Sequence, residues 1–278
     1  MYTVIGVGGV GIKVAKNFEK FPQYNVVCLD DQDTGHEHQI VLEKQKKPEL
    51  YEESFKRLPS PIKKVIKDKV ICVVSGASLV SSVILRFLYE LRDKQITIMY
   101  IRPETDLLND TKKKQERVIF SVLQEYARSG LFDDMCLVSN SSMDTLVEDA
   151  SISEYYSTMN SMLVNTFHMI MVFDNQEAQA SNFSEIIESR RIYTLGLLDQ
   201  EAGEEKMFFP IDIPLDNRLY YGIVEENLNK DKNLQRNIIK LIKSKNQEIC
   251  KYSYGVYRTK YESDFCYMKS YTSKVQDF

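Results

Sequence analysis

The chain has 278 residues, of which 43% are hydrophobic and 27% are charged, and it carries a formal net charge of −4. This balance is typical of a globular protein with one large domain or two ordinary ones, and the negative charge argues against a general nucleic-acid coat. The five cysteines form no CxxC pair and the three histidines are scattered, which argues against a disulfide framework, a zinc knuckle and a histidine-based metal site. We therefore expect a protein of a reducing compartment.

The start of the chain and its most apolar run bear on location. The first residues enter an apolar strand without a preceding basic region, which is not typical of a signal peptide. Residues 159–173 form the most apolar run, but this run contains Asn160, Asn165 and His168 and is too short to span a membrane. The sequence predicts a cytoplasmic protein that does not insert into a membrane.

The first half of the chain alternates short apolar runs with segments of helical periodicity. Apolar strands separated by helices are typical of a parallel sheet covered by helices on both faces. Segment 32–68 differs, because its lysines and glutamates interleave, and we expect a surface loop with one or two helices there. Strands are predicted at residues 2–6, 25–30, 70–74, 96–101 and 135–138, and helices at residues 11–19, 79–91 and 110–129.

Two residues mark the ends of the last of these helices. Asp110 is a candidate N-cap, and Gly130 lies where a C-terminal stop belongs. Beyond it, residues 151–173 are apolar on nearly all sides of a helix, which predicts a buried central helix joining two domains. Asp231 is a candidate cap of a later amphipathic helix. Alternating apolar residues on both sides of a turn at residues 262–264 predict an antiparallel hairpin.

A glycine-rich loop connects the first predicted strand to the first predicted helix. It contains Gly6, Gly8, Gly9 and Gly11. Glycines let backbone N–H groups approach a phosphate, and the N-terminus of the following helix attracts negative charge. Asp30 ends the second predicted strand, at a spacing that suits a carboxylate on a ribose hydroxyl. An NAD- or ATP-binding Rossmann enzyme is therefore one hypothesis.

The order of motifs along the chain resembles the tubulin/FtsZ family. GVGGVG follows the first strand, VVSGASLVSS the third, YIRPET the fourth and LVSN the fifth, and EYYSTMN lies on the central helix. The resemblance continues through the two C-terminal strands. It implies an α/β fold with a Rossmann-like parallel-sheet nucleotide-binding domain at residues 1–150, a long central helix at 151–174 and a smaller α+β domain at 175–278.

The resemblance also implies a guanine-nucleotide site and a polymer. Members of the family bind GTP or GDP, with or without Mg²⁺, and stack head to tail, so that a loop of one subunit covers the nucleotide of the next. A polymer of this kind makes the chain its own partner. The residues that match nucleotide-contacting positions are Gly6, Gly8, Gly9 and Gly11 of the first phosphate loop, Ser75, Gly76 and Ser78 of the second, and Asn140, Tyr156 and Asn160 around the base.

Several positions depart from the family pattern. Only Gly76 remains of the glycines in the second phosphate loop, and the side chains of Leu79 and Val80 would crowd a phosphate there. The best match to the catalytic loop is residues 180–185, in which Asn182 replaces an aspartate and only Glu185 keeps an acid. A carboxylate that orients or deprotonates water contributes about 10²–10⁴-fold to a rate. We expect weak or absent GTP hydrolysis and weakened or lost phosphate binding.

These observations leave three hypotheses. The first is a divergent guanine-nucleotide-binding protein that forms filaments or a scaffold, alone or with an adaptor protein, without direct contact to nucleic acid. The second is a nucleotide-free pseudo-GTPase with a structural or interaction role, in which Glu185 is a solvent-facing charge in the first turn of a helix. The third is the Rossmann enzyme suggested by the glycine loop and Asp30.

Overall fold

Two compact units make up the described chain. The computed structural model describes residues 1–147, 150–230, 232–246 and 248–277. We call residues 1–164 the first unit and residues 165–276 the second unit. The boundary lies within one long helix, between the limits expected from the sequence at residues 150 and 174. Each helix in the described part of the chain is too short or too polar to cross a bilayer.

The first unit contains a parallel sheet. Its strands are β1 (Tyr2–Val7), β2 (Tyr24–Asp30), β3 (Gln39–Val41), β4 (Lys69–Val74), β5 (Gln95–Arg102) and β6 (Asp134–Ser139). They are ordered β3-β2-β1-β4-β5-β6, and each neighbouring pair is parallel. The five predicted strands are confirmed, each one or two residues longer than predicted. β3 was not predicted, because a three-residue edge strand in a polar segment leaves no periodic signal.

Parallel pairing brings the carboxyl ends of these strands to one edge of the sheet. Val7 of β1 is level with Val74 of β4, and Val74 is level with Tyr100 of β5. Arg102 of β5 is level with Ser139 of β6. The segments that follow these four strands therefore leave the sheet side by side, at the edge where open α/β sheets bind ligands.

Helices connect the strands of the first unit. They are α1 (Gly8–Lys16), α2 (Pro48–Ser54), α3 (Ser60–Val65), α4 (Ile84–Glu90), α5 (Asp110–Ser129) and α6 (Asn140–Asp144). The helical segment predicted for residues 79–91 is confirmed up to residue 90, but it is not one α-helix, because its first part, Leu79–Val83, is a 3₁₀ turn that precedes α4. The hydroxyls of Ser81 and Ser82 donate to the carbonyls of Ser75 and Leu79, which satisfies these carbonyls within the turn.

The ends of α5 show one wrong and one confirmed prediction. The N-cap is Asn109 and not Asp110, because the Asn109 side chain accepts a hydrogen bond from the backbone N–H of Lys112 at 3.0 Å. Gly130 ends the helix at φ 75°, the left-handed conformation that glycine adopts without strain. A cap can be displaced by one residue where two suitable residues are adjacent in the sequence.

The second unit contains a mixed sheet. Its strands are β7 (Ala180–Ser181), β8 (Ile192–Leu198), β9 (Glu205–Met207), β10 (Asp216–Val224), β11 (Lys251–Thr259) and β12 (Phe265–Thr272). They are ordered β8-β12-β10-β11-β7, and β9 pairs with β8. The predicted hairpin is wrong, because β10 lies between β11 and β12 and pairs with both of them. Alternation predicts a half-buried strand, but it does not determine which strand becomes its neighbour.

Three helices complete the chain. α7 (Tyr155–Asp174) confirms the predicted central helix and starts four residues later than expected. α8 (Glu225–Lys230) and α9 (Leu234–Lys245) lie between β10 and β11. α9 is the predicted amphipathic helix, and it packs Ile238 and Ile242 into the core of the second unit. The predicted cap, Asp231, lies outside the described residues. The second unit is α+β, as expected.

Candidate functional site

The first glycine loop forms the opening turn of α1. The helix starts at Gly8, three residues earlier than predicted, so its first N–H groups lack partners within the helix. Gly8 has φ +70°, and a Cβ built there would lie 3.2 Å from Ser78 Oγ. Gly9 is exposed, and a Cβ at this position would meet nothing within 4 Å. The loop therefore places Gly8 beside Ser78 and exposes Gly9, in the first turn of the helix, to open space.

Two other glycines of this loop have packing roles. A Cβ on Gly6 would lie 2.6 Å from Ile12 Cα, and a Cβ on Gly11 would clash with the carbonyl oxygen of Val73. These contacts let α1 lie directly against β1 and β4. Gly6 and Gly11 are thus required by the fold itself, whereas no protein neighbour in the described chain explains the glycine at position 9.

The second loop is partly closed by its own hydrogen bonds. Ser75 and Gly76 are buried, and a Cβ on Gly76 would collide with the Tyr100 hydroxyl. Ser78 is half-buried and lies beside Gly8, so among Ser75, Gly76 and Ser78 it is the residue with accessible surface. Val80 is 3% exposed and packs into the core, so it does not crowd the edge as the sequence suggested. The loop offers less backbone to a phosphate than the first loop does.

The second loop is supported by side chains of α5 that no motif in the sequence indicates. The Gln115 side-chain amide donates to the Ser78 carbonyl. The Tyr100 hydroxyl donates to Glu116 Oε1 at 3.1 Å, and Arg102 Nε lies 3.7 Å from the same oxygen. Burial raises the pKa of Glu116, and Arg102 opposes that shift. The sequence does carry one sign of this arrangement, because the Glu116 carboxylate lies on the face of α5 that also carries its apolar residues.

The base end of the predicted site lies beside β6. Asn140 is the first residue of α6 and is half-buried. The Tyr155 hydroxyl donates to Asp144, which holds the first turn of α7 against α6. Burial and the nearby carboxylates raise the pKa of Tyr155, which keeps the hydroxyl protonated as a donor.

Tyr156 and Asn160 lie on one face of α7, one turn apart. Tyr156 is 58% exposed, which excludes a core-packing role for its ring in this structure. Ser161 Oγ donates to Asn17 Oδ1 at 3.1 Å, so α7 also contacts the end of α1. Along α7, Tyr156 and Asn160 therefore lie between Tyr155, which contacts α6, and Ser161, which contacts the end of α1. The intervening strands place β1 about 14 Å from β6, a distance that an extended nucleotide can span.

Asp30 is poorly placed to bind a ribose. The residue is 8% exposed, and its Oδ1 accepts the backbone N–H of Asp31 at 2.8 Å. Burial raises the pKa of this carboxyl group, although the hydrogen bond from Asp31 partly offsets the shift. The side chain therefore caps its own turn and leaves little surface for a ligand.

The predicted catalytic residues belong to an irregular segment of the second unit. Asn182 Oδ1 accepts the N–H of Tyr254 at 2.7 Å, and the Asn182 N–H donates to the Tyr254 carbonyl at 3.0 Å. These bonds extend the pairing of β7 with β11. The expectation that Glu185 opens a helix is wrong, because residues 182–187 have no regular structure and Glu185 is exposed. Asn182 thus has a structural role in this segment.

Phe183 fixes the same segment to the sheet. Its ring centroid lies 5.1 Å from that of Tyr220 and 5.1 Å from the Arg218 guanidinium. Arg218 also donates to the Ser184 carbonyl. The segment after Asn182 is therefore held by the Phe183 ring and the Arg218 side chain, independently of the Asn182 side chain.

No family model matches the sequence, and no curated protein is detected as its relative. Solved structures do match. The GTPγS-form protofilament of TubZ from Bacillus thuringiensis serovar israelensis has a TM-score of 0.74 and 15% identity, covering 97% of this chain and 87% of that one. The chain has a tubulin/FtsZ-like fold. The GTPγS-bound protofilament of CetZ2 from Haloferax volcanii has a TM-score of 0.71 and 13% identity, covering 98% and 92% of the two chains.

The empty FtsZ dimer from M. jannaschii also has the tubulin/FtsZ-like fold found here. Its TM-score is 0.69 at 13% identity, and the match covers 98% of this chain and 87% of that one. The family resemblance and the fold class expected from the sequence are thereby confirmed. At these identities the likeness concerns the fold, and the roles of individual residues depend on the geometry described above.

Proposed function

We propose that this protein binds a guanine nucleotide at the carboxyl edge of the parallel sheet and assembles with copies of itself into filaments. The main support is that Gly9 faces open space at the edge where Gly8 lies beside Ser78, and that Asn140 follows β6 at the same edge, with the start of α7 held against α6 by the bond from Tyr155 to Asp144. The solved structures of the same fold include GTPγS-form protofilaments. A phosphate loop and a base platform on one edge are the two parts that a nucleotide requires.

The proposed contacts divide along the nucleotide. The free N–H groups of the first turn of α1 and the Ser78 hydroxyl would bind phosphate oxygens. The Tyr156 ring would stack on the base, and the amides of Asn140 and Asn160 would bind its polar edge. In the described chain no group of three or more His, Cys, Asp or Glu side chains is placed to hold a metal, so Mg²⁺ would depend mainly on phosphate oxygens and water.

Hydrolysis is proposed to be slow. Asn182 is neutral, and its side-chain oxygen is already bonded to the backbone of β11. Glu185 is the remaining acid of the segment, and it is exposed. A neighbouring subunit that contributes one carboxylate in place of two positions water less well, which lowers the rate. Filaments of this protein would then retain GTP for longer than those of a fast GTPase.

Exposed apolar side chains support self-assembly. Large hydrophobic residues on a surface mark interaction sites when they occur together at one place. Five such residues lie in segments that follow strands of the first sheet, in the turn before α7 or in the first turn of α7. They are Val10 (44% exposed), Leu79 (36%), Leu107 (77%), Ile152 (100%) and Tyr156 (58%).

One purification tests the proposal against its alternatives. Freshly purified protein is denatured, and the released nucleotide is separated by chromatography, while a second sample is pelleted with GTP, GDP or no nucleotide. We expect copurified GDP or GTP and GTP-dependent pelleting. Nucleotide-free protein that does not bind added GTP would favour the pseudo-GTPase. Binding of NAD(H) without binding of GTP would favour the Rossmann enzyme.

A further inference from the structure

Charge is distributed very unevenly along this chain. Residues 129–189 contain ten Asp or Glu and no Lys or Arg, whereas residues 232–247 contain five Lys or Arg and no acid. The whole chain has a net charge of only −4. Separation of charge on this scale within one molecule creates surfaces that attract partners of opposite charge.

The basic segment forms one face of α9. Arg236, Lys240 and Lys243 are spaced by four and three residues, which places them together on the helix surface, and all three are exposed. The opposite face packs into the core through Ile238 and Ile242. None of the ion pairs between described residues includes the three basic side chains. We call these three residues the basic face.

The basic face is unfavourable for an isolated helix. Like charges three or four residues apart repel each other and destabilise a helix. An acidic residue at position 236, 240 or 243 would reduce the repulsion between these side chains, but all three positions are basic. A partner with negative charge would remove it as well.

An acidic rim lies at the carboxyl edge of the first unit. Asp106 lies in the turn after β5, Asp144 ends α6 and Glu154 precedes α7, and all three side chains are exposed. The exposed Ile152 and Tyr156 are neighbours of Glu154 in the sequence. We call the three acids the acidic rim. The charge of the acidic rim would attract a basic partner at long range, and its apolar neighbours would supply surface that is buried on contact.

We infer that the basic face of α9 docks on the acidic rim of a second copy of this chain, an inference that depends on the self-assembly proposed above. The chain supplies both halves of a complementary pair, on surfaces that are exposed in one molecule. Nucleic acid fits less well, because no aromatic side chain is interleaved with the basic residues and the chain as a whole has a net charge of −4. A heterologous contact of this kind repeats from copy to copy and builds a filament.

Charge reversal tests the docking. The triple variant Arg236→Glu, Lys240→Glu, Lys243→Glu and the double variant Asp106→Lys, Glu154→Lys should each raise the concentration needed for pelleting at least about tenfold, because like charges then face each other. A chain carrying all five changes restores the opposite signs, and it should assemble like the wild type. Raised salt should weaken wild-type assembly, since exposed charges are screened within about 10 Å at 0.1 M.

The control changes charge equally at another place. Lys63→Glu, Lys64→Glu, Lys67→Glu reverses three exposed lysines at and beside α3 and should leave assembly unchanged. The inference is overturned if the α9 variant assembles normally or if the control variant loses assembly to the same extent. It is also overturned if the chain carrying all five changes does not pellet. Loss of binding to a DNA duplex with unchanged assembly would assign α9 to nucleic acid instead. A wild type that never assembles would end the self-assembly proposal and this inference with it, whereas the other outcomes affect this inference alone.

Discussion

Single residues separate the requirements of folding from those of binding. Gly6 and Gly11 are fixed by contacts with Ile12 and with the Val73 carbonyl, so their presence would be expected even without a ligand. Gly9 has no such neighbour and lies in the opening turn of α1. The sequence motif treats the three alike, and only the structure shows which of them is not required by packing.

Gly9→Val should weaken nucleotide binding while the fold is retained. The new side chain enters open space, so the free energy of unfolding should change by no more than about 1 kcal/mol. The same side chain would occupy the proposed phosphate position, and we expect at least about a tenfold loss of GTP affinity in a fluorescent-nucleotide titration. Lys13→Val, on the exposed side of the same helix, is the control. Unchanged affinity in Gly9→Val would remove this loop from the site.

Asn182→Asp should raise GTP turnover. The aspartate retains an oxygen that can accept the Tyr254 N–H, so the segment should keep its position. The added carboxylate can orient water in a neighbouring subunit, and we expect a phosphate-release rate at least about tenfold higher. Asn246→Asp is a matched control, because Asn246 Oδ1 accepts the N–H of Tyr252 on the same strand. Equal rates in protein that binds GTP would show that the segment does not act on a neighbour's nucleotide.

Elements differ in how far the sequence determines them. α7 and the five longer strands of the first unit were predicted, because their patterns arise from burial, which is local to each element. The support of the Ser78 loop by Gln115 was not predicted, because a contact across 37 residues leaves no periodic trace. The position of β10 between β11 and β12 was also missed, since pairing partners depend on the whole sheet.

Glu116 should make the stability of the first unit depend on pH. Its pKa is raised from an ordinary value of 4.5, so the native state binds the proton more tightly than the unfolded state. The free energy of unfolding should fall as pH rises from about 4.5 through the raised native value. Glu116→Gln removes this pH-dependent loss of stability. In urea unfolding, the free energy of unfolding of the variant relative to that of the wild type should therefore be higher at pH 7 than at pH 5. Glu125→Gln, an exposed change on the same helix, should not show this trend.

At the scale of the whole molecule, the order of motifs was more informative than any motif alone. The second phosphate loop and the catalytic segment both depart from the family pattern, and the Gly6–Gly11 loop on its own also fits a Rossmann enzyme. Their sequence along the chain nevertheless indicated the fold that the TubZ and CetZ2 structures confirm. The exposed residues at the carboxyl edge could not be predicted, because exposure depends on the packing of every connection.

The apolar residues at that edge should contribute to assembly. Leu107→Asn with Ile152→Asn should raise the concentration needed for pelleting about tenfold, because two largely exposed side chains would no longer be buried between copies. Surface changes of this kind usually alter stability by less than about 0.5 kcal/mol, so the fold should be retained. Leu131→Asn, at the opposite edge and 62% exposed in the native chain, is the control. Normal assembly of the double variant would place the contact elsewhere.

The central position of β12 has a consequence for synthesis. β12 follows β8 and β10 in the sequence and pairs with both of them, so the second sheet remains divided until residues 265–272 have been synthesised. A nascent chain can complete the first sheet early, but it lacks a finished second sheet until β12 has emerged. The self-assembly proposed above would therefore have to wait for this strand.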